Sequence, residues 1–296
     1  MIFTGIEGLR DPFLVEENGI YYMYGTGIFK GNWDDTVWAC YVNDSGRLDS
    51  GEWKLTDHPI YELPKNAAKN RWAPEVHKYE GNFYMFTTYF SPETGHRGCT
   101  ILKSPSPTGP FVEITNGHIT SDKIDAIDGT FYVDKKGQPW MIYVHEWVCK
   151  PDKVGTMEAA KLSDDLTHFI SEPIELFRAD APTWTTKGVT DGCFMYETKD
   201  GQLLMLWSNF DKDGYCVGIA RSNDGTVEGK WTQDETLLFS KALMGEHDGG
   251  HGMVFIDKDG TTYLCLHSPN IPTKELKERN LLIPLREENG TLVCEL

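Results

Sequence analysis

Residues 11–24 read DPFLVEENGIYYMY, which is two short apolar runs on either side of a polar turn. This pattern is typical of a β-hairpin. The unit recurs as APEVHKYEGNFYMF at 73–86, DGTFYVDKKGQPWMIY at 128–143, DGCFMYETKDGQLLMLW at 191–207 and HGMVFIDKDGTTYLCL at 251–266. The five units begin about sixty residues apart, and hairpin repeats at such a spacing predict the blades of a β-propeller.

A second, more polar hairpin follows each repeat, as in TVWACYVNDSG at residues 36–46. Two hairpins make a four-stranded blade, and five such blades use up the chain. We therefore expect an all-β, five-bladed β-propeller with four-stranded antiparallel blades, forming a single domain over residues 1–296. No stretch shows a long apolar period of 3.6 residues, so we expect little helix. Residues 291–296 either pair beside residues 1–5 or complete the last blade alone.

The composition restricts the partners. The formal net charge is −17 and the pI about 4.9, whereas binding to a phosphate backbone needs clustered Lys and Arg. No apolar run approaches the roughly 18 to 20 residues of a membrane span. We expect neither nucleic acid nor a membrane as a partner.

The seven cysteines show neither CxxC spacing nor a disulfide framework, and most fall inside apolar strand patterns. Residues 1–5 do not resemble the start of a secretory signal. Reduced thiols packed as small apolar groups are expected, and with them a cytoplasmic location.

The first residues of the five repeats, which we call the lead residues, are Asp11, Ala73, Asp128, Asp191 and His251. The first strand of a propeller blade lies nearest the central channel, so the lead residues should converge. Three carboxylates brought together repel one another. Carboxyls whose pKa values are pushed apart can serve as acid and base, so we expect the three aspartates to be catalytic.

Four short motifs resemble the blade-leading motifs of glycoside hydrolase family 43: LRDP at 9–12, RWAPEV at 71–76, AIDG at 126–129 and GHG at 250–252. The resemblance extends over about residues 5–270. It implies an inverting five-bladed glycosidase, in a family active mostly on arabinofuranosides, xylosides and some galactosides.

By this resemblance, Asp11 matches the general base and Asp128 the carboxylate that tunes and orients the acid. The family's acid is a Glu followed by Gly-Pro, where this chain has Asp191 followed by Gly-Cys. The shorter side chain reaches about 1.5 Å less far, against the tolerance that catalysis allows. Either the backbone compensates, or Glu146 is the alternative acid, or the protein is inactive.

Other candidates surround this centre. The resemblance implies that His251 helps to hold a structural calcium on the axis, mostly through water; a hydrogen-bonded His in a packed channel is the alternative. No cofactor is expected for the chemistry. Trp72 is expected to stack on the sugar or to pack in the core, and Arg10 and Arg71 to bind a hydroxyl or to pair with an aspartate, pairing being favoured for Arg10. The remaining candidates for the pocket are Phe29, His145, Trp147, Asn209 and His267.

We expect an exo-acting, inverting glycosidase of small oligosaccharides that contain arabinose, xylose or galactofuranose. One alternative is a retaining fructosidase-type propeller, in which the carboxyls stand about 5 Å apart. The others are a phosphorylase propeller and a non-catalytic sugar-binding propeller.

Overall fold

The computed structural model of the protein describes residues 1–29, 31–274 and 276–295. Its strands form five antiparallel sheets that follow one another along the chain. In each of the first four sheets the spatial order of the strands equals their order in sequence, because each strand pairs with the next. The predicted five-bladed β-propeller is thereby confirmed.

The first four blades contain four strands each. Blade 1 consists of β2 (Leu9–Glu17), β3 (Ile20–Gly27), β4 (Val37–Asn43) and β5 (Lys54–Leu55). Blade 2 consists of β6 (Lys69–Tyr79), β7 (Asn82–Ser91), β8 (His96–Ser104) and β9 (Val112–Glu113). Blade 3 consists of β10 (Ala126–Val133), β11 (Pro139–His145), β12 (Thr156–Lys161) and β13 (Ile174–Arg178). Blade 4 consists of β14 (Asp191–Glu197), β15 (Leu203–Phe210), β16 (Tyr215–Ser222) and β17 (Trp231–Gln233).

Blade 5 is built from both ends of the chain. Its inner strands are β18 (Gly250–Ile256), β19 (Thr262–Ser268) and β20 (Arg279–Glu288). Two strands share the fourth place: β1 (Ile2–Glu7) pairs with the first part of β20, and β21 (Thr291–Cys294) pairs with its end. The C-terminal strand therefore does not complete the last blade alone: β1 and β21 share β20 as their partner, and Leu296 lies outside the described residues. Pairing β1 with β20 holds the ring shut.

Helix is scarce in the part of the chain that the structure describes. It comprises α1 (Lys241–Met244) and a single 3₁₀ turn at Trp147–Cys149. None of the described helices has the length and apolar character needed to cross a membrane.

The second strand of each blade is the most apolar, because a neighbouring blade covers each of its two faces. Seven consecutive residues are buried in β15, and seven of the eight in β3. A strand covered on both faces needs a continuous apolar run and not an alternating one. This explains the run YYMY in the opening repeat and LLMLW in the fourth.

Every blade has a β-bulge at the same place in its first strand, where two residues oppose one on the second strand. The first residue of each bulge has a positive φ, between 43° and 54°; these bulge residues are Asp11, Ala73, Asp128, Gly192 and His251. Left-handed backbone is uncommon outside glycine, although Asp and His adopt it more readily than most residues. Bulges re-aim side chains and are frequent beside active sites.

The predicted register of the fourth repeat is wrong by one residue. Its bulge begins at Gly192, with φ 51°, and Asp191 precedes it, paired with Ser208 on the second strand. Asp191 therefore corresponds to Arg10 and Trp72 in other blades, and not to Asp11. The repeats were aligned on Asp191 because it is an aspartate like Asp11 and Asp128. In this blade, however, Gly192 occupies the left-handed position.

Hydrogen bonds between neighbouring blades hold four of the five bulges. The backbone N–H of the bulge residue donates to a side chain on the second strand of the preceding blade. The pairs are Ala73 to Thr26 at 2.7 Å, Asp128 to Thr88 at 3.1 Å, His251 to Ser208 at 2.8 Å and Asp11 to His267 at 3.2 Å. At the remaining junction Val144 occupies the matching place, and the Gly192 N–H donates to the Asp128 carboxylate at 3.0 Å.

Thr88→Val is expected to destabilise the protein by about 1–3 kcal/mol, because it leaves the buried Asp128 N–H without its acceptor while keeping the side-chain shape. Urea unfolding measures this difference. Thr232→Val, on the exposed edge strand β17, is the matched control and should change stability by less than about 0.5 kcal/mol. Equal stability of the two variants would show that these inter-blade hydrogen bonds do not hold the bulges.

Candidate active site

A pocket of about 240 Å³ is lined by residues from all five blades. Eight of them were singled out from the sequence: Arg10, Asp11, Trp72, Asp128, Glu146, Trp147, Asp191 and His251. Trp33, Ile127 and Tyr215 complete the lining. The structure thus brings the three predicted catalytic aspartates and the alternative acid into one cavity.

A larger hollow of about 590 Å³ lies between the outer parts of blades 4 and 5. Its lining is mainly apolar, and its Asp234 is paired with Arg221 at 2.8 Å. Size is therefore a poor guide to the site in this molecule. The convergence of four carboxyls from three blades in one cavity is the better guide.

Asp11 is a nearly buried carboxylate surrounded by donors. Its Oδ2 accepts a hydrogen bond from the Thr26 hydroxyl at 2.6 Å, and its Oδ1 lies 3.2 Å from Nδ1 of His251. Burial acts to raise the pKa of Asp11, but the neighbouring His251 and Arg10 and the Thr26 hydrogen bond outweigh it and lower the pKa. Asp11 is accordingly ionised at neutral pH.

His267 lies beneath Asp11 and is completely buried. Burial, with the charge of Arg10, lowers the pKa of His267 well below its usual value, so the ring is neutral. Its Nδ1 accepts the Asp11 backbone N–H. His267 therefore acts on Asp11 as a hydrogen-bond acceptor, and the guanidinium of Arg10 supplies positive charge.

The ring of His251 lies between two aspartates. Its Nδ1 is 3.2 Å from Oδ1 of Asp11 and 3.8 Å from Oδ2 of Asp128. Burial raises the pKa of Asp128; His251 opposes this and the charge of Asp11 adds to it, so the pKa remains raised. Burial and the charge of Asp11 therefore both oppose ionisation of the Asp128 carboxyl.

Asp191 has the opposite environment to Asp11. Burial raises its pKa well above the usual value, and the negative charges of Asp128 and Asp11 raise it further. The Tyr215 hydroxyl donates to Oδ2 at 3.0 Å and only partly opposes this rise. The pocket therefore favours the protonated carboxylic acid at Asp191.

Glu146 follows β11 and is tied to an arginine. The Arg97 Nε donates to its Oε2 at 2.8 Å, and the guanidinium lies 5.4 Å from the centre of the Trp72 ring. Burial raises the pKa of Glu146 despite the opposing charge of Arg97. This ion pair leaves Glu146 less suited than Asp191 to hold a transferable proton.

Two tryptophans form an aromatic wall. The rings of Trp33 and Trp72 meet edge to face with centroids 5.9 Å apart, and Trp72 Nε1 donates to the Trp33 carbonyl. The Arg10 guanidinium lies 4.7 Å from the centre of the Trp33 ring. Arg10 is paired as expected, but its partner is Glu278, at 2.9 Å, and not an aspartate.

Two predicted substrate-binding residues lie outside the pocket lining because the backbone engages them. Arg71 Nε donates to the carbonyl of Thr36 at 2.7 Å, and its Nη2 lies 3.9 Å from Oδ1 of Asp35, so the expected pairing with an aspartate is present. The Asn209 side chain is fully buried and donates to the carbonyl of Lys187 at 3.1 Å. Both side chains hold loops in place: Arg71 holds the loop between β3 and β4, and Asn209 the loop between β13 and β14.

Phe29 and His145 also lie outside the lining. His145 Nδ1 is 2.8 Å from Oε1 of Glu158 on the neighbouring strand, because the β11–β12 register places the two side by side. Phe29 is half exposed and lines two adjacent hollows. Of the expected strand-end residues, Trp147 alone among those described reaches the pocket.

The described side chains around His251 lack the ligands that a calcium ion needs. In the described ranges no group of three or more His, Cys, Asp or Glu side chains could hold a metal. Calcium takes six to eight oxygen ligands, whereas His251 offers a ring nitrogen that faces two carboxylates. These side chains do not form a calcium cage, and the water-mediated calcium implied by the resemblance stays a prediction.

The sequence profile described as Glycosyl hydrolases family 43 matches residues 8–291. The chain belongs to glycosyl hydrolases family 43. Within this family, a solved endo-arabinase from Bacteroides thetaiotaomicron VPI-5482 is 34% identical to the chain, covers 98% of each chain and superposes with a TM-score of 0.82.

Two further relatives show how far the likeness extends. An extracellular endo-alpha-(1->5)-L-arabinanase 1 of Bacillus subtilis (strain 168) is 26% identical over 194 residues, which cover 60% of this chain and 56% of that protein. This chain thus spans little more than half the length of that curated relative. An endo-1,4-beta-xylanase structure from Bacteroides thetaiotaomicron VPI-5482 is 22% identical, covers 98% of this chain and 95% of its own, and has a TM-score of 0.79, a likeness of fold alone.

Sequence reasoning missed Trp33, Tyr215 and Arg97. Trp33 lies in a loop and Tyr215 begins a third strand, whereas the repeat that marks the lead residues covers only the first two strands of each blade. A usable signal existed for the inter-blade hydrogen bonds, since Thr, Thr, Ser and His recur opposite four of the bulges. No comparable repeat marks Trp33 or Tyr215.

Proposed function

We propose that this protein is a glycosidase that hydrolyses linkages of L-arabinofuranose-containing chains with inversion. The observation that carries the proposal is the opposite direction of two pKa shifts in one pocket: that of Asp11 is lowered and that of Asp191 is raised. Carboxyls whose environments push their pKa values apart are suited to act as base and acid. The arabinose preference is supported by the endo-arabinase that is 34% identical.

The proposed reaction needs only the carboxyls and water. Asp191 gives its proton to the glycosidic oxygen as the bond from that oxygen to the anomeric carbon breaks, and the leaving sugar keeps the electron pair. Asp11 accepts a proton from water as the water oxygen bonds to the anomeric carbon from the opposite face. Asp128 keeps the acid protonated through its charge. Exchange of one proton with solvent restores both carboxyls.

Product analysis on linear arabinan tests this proposal. ¹H NMR of the first turnovers should show the anomer of inverted configuration, because water attacks directly. Retained configuration would reject the assignment of Asp11 as base in favour of a nucleophile, as in the fructosidase-type alternative. Binding of arabinan without any turnover would favour the sugar-binding alternative.

The length of the products tests the mode of action. The sequence favours exo action on short oligosaccharides. The pocket, however, adjoins a hollow of about 510 Å³ through Trp33, which lines both, and Glu278 of that hollow holds Arg10. This open side gives room for further sugar units, so we propose that longer chains are also accepted. Mixed early products would support this, and monosaccharide alone would support exo action.

The state of the cysteines bears on where in the cell the protein acts. All seven cysteines are unpaired, and five of them are buried. A cytoplasmic location, and hence imported oligosaccharides as substrates, stays a prediction, which cell fractionation tests.

A further inference from the structure

One wall of the pocket lacks the side chain that the fold would place there. The residue before the bulge projects into the pocket in four blades, as Arg10, Trp72, Ile127 and Asp191. In blade 5 this residue is Gly250. The repeat therefore leaves a gap beside the catalytic aspartates.

The ring of Tyr215 fills that gap from blade 4. A Cβ atom on Gly250 would stand 2.4 Å from Cε1 of Tyr215, which is closer than non-bonded atoms approach. Glycine is thus required at 250 for the tyrosine to reach the pocket. The absence of a side chain on one blade is matched by a side chain supplied by its neighbour.

Packing on two sides fixes the position of Tyr215. Its ring lies nearly parallel to His267, with centroids 5.8 Å apart at 26°, and contacts Phe210 at 5.1 Å. Its backbone N–H donates to Oδ2 of Asp248 at 3.1 Å. The residue is 2% exposed. A side chain held in this way presents its hydroxyl at one point.

That hydroxyl is held against Asp191. It donates to Oδ2 at 3.0 Å, and this is the one hydrogen bond that the Asp191 side chain makes within the described residues. Burial, with the charge of Asp191, raises the pKa of Tyr215 well above its usual value, so the hydroxyl keeps its proton and remains a donor. Since Oδ2 accepts this hydrogen bond, the proton of the neutral carboxylic acid resides on Oδ1.

We propose that Tyr215 is a positioning residue for proton transfer by Asp191: it holds Oδ2 and so leaves the transferable proton on Oδ1 in the pocket. This rests on the proposed role of Asp191 as the acid. Displacement of a donor by about 1 Å is enough to cost on the order of 10²-fold in rate.

Tyr215→Phe tests the proposal through the leaving group. Cleavage of an arabino-oligosaccharide needs acid assistance, whereas cleavage of a dinitrophenyl glycoside of the same sugar chain needs little. We expect kcat/KM to fall about 10- to 100-fold on the oligosaccharide and to stay near the parent value on the dinitrophenyl glycoside. Loss of a donor to the carboxylate should also move the alkaline limb of the pH profile to higher pH.

Two further variants complete the test. Gly250→Ala keeps the hydroxyl but displaces the ring, so it should show the same selective loss on the oligosaccharide. Tyr89→Phe is the matched control. Tyr89 is a buried tyrosine that packs against a histidine, and its own hydroxyl donates to the carboxylate of Glu113 at 3.0 Å, outside the pocket. It should change neither the substrate ratio nor the pH profile.

The outcomes separate this inference from the proposed function. Equal losses of Tyr215→Phe on both substrates, or an unmoved alkaline limb, overturn the positioning role. If Asp191→Asn itself loses no more on the oligosaccharide than on the dinitrophenyl glycoside, the acid assignment fails and the inference with it. A third outcome rejects the inference and keeps the proposed function: Asp191→Asn loses activity selectively on the oligosaccharide, and Tyr215→Phe behaves like Tyr89→Phe.

Discussion

Asp11→Asn is expected to lower kcat on arabinan by about 10²- to 10⁴-fold, which is the usual contribution of a general base. The amide can still accept the Thr26 hydrogen bond but cannot take a proton from water. The fold should survive, because the N–H bond to His267 belongs to the backbone. Initial rates of reducing-end release measure the loss, and circular dichroism checks the fold.

Asp224→Asn is the control for this change. It removes the same charge from an exposed turn that does not line the pocket. Its rate should equal that of the parent protein. An Asp11→Asn variant that keeps more than about a tenth of the parent rate contradicts the role of base, because so small a loss falls below what such a group contributes.

Asp191→Asn should lower kcat/KM on arabinan by about 10²- to 10⁴-fold, since an amide has no acidic proton to give. In the parent protein, the rate should rise with pH as Asp11 ionises and fall as Asp191 loses its proton. Because burial and the charges of Asp128 and Asp11 raise the pKa of Asp191, the fall should occur at higher pH than for an ordinary aspartate. In the variant that alkaline fall should disappear.

Glu146→Gln decides between the two possible acids. The glutamine oxygen can still accept the Arg97 hydrogen bond, so the wall around Trp72 should remain in place. We expect a loss of less than about tenfold and an unchanged alkaline limb. A larger loss for Glu146→Gln than for Asp191→Asn, with the limb abolished, would transfer the role of acid to Glu146.

The architecture could be read from the sequence because its signal is local and repeated. Each hairpin shows its own apolar runs and turn, and five copies reinforce one another. The meeting of Asp11, Asp128 and Asp191 in one pocket then follows from the geometry of a ring. The error of one residue at Gly192 arose because a bulge is defined by backbone pairing, which the letters do not display.

The side chains that line the walls of the pocket could not be predicted from the sequence in the same way. Phe29, Arg71, His145 and Asn209 are plausible sugar ligands by residue type, yet three of them are engaged by carbonyls or a neighbouring carboxylate. Whether a polar side chain is free for a ligand depends on the partners that packing places beside it. Those partners come from loops and from distant parts of the chain.

The number of blades, the apolar second strands and the meeting of three aspartates follow from local periodicity repeated along the chain, so the amino-acid sequence was sufficient to predict them. The tertiary structure alone decided which carboxyl is charged and which is protonated, since a pKa depends on burial and on neighbouring charges. His251 between Asp11 and Asp128 is a contact among three blades, and Tyr215 reaches Asp191 within blade 4 through the space that Gly250 of blade 5 leaves open. No stretch of the chain contains them until the ring has closed.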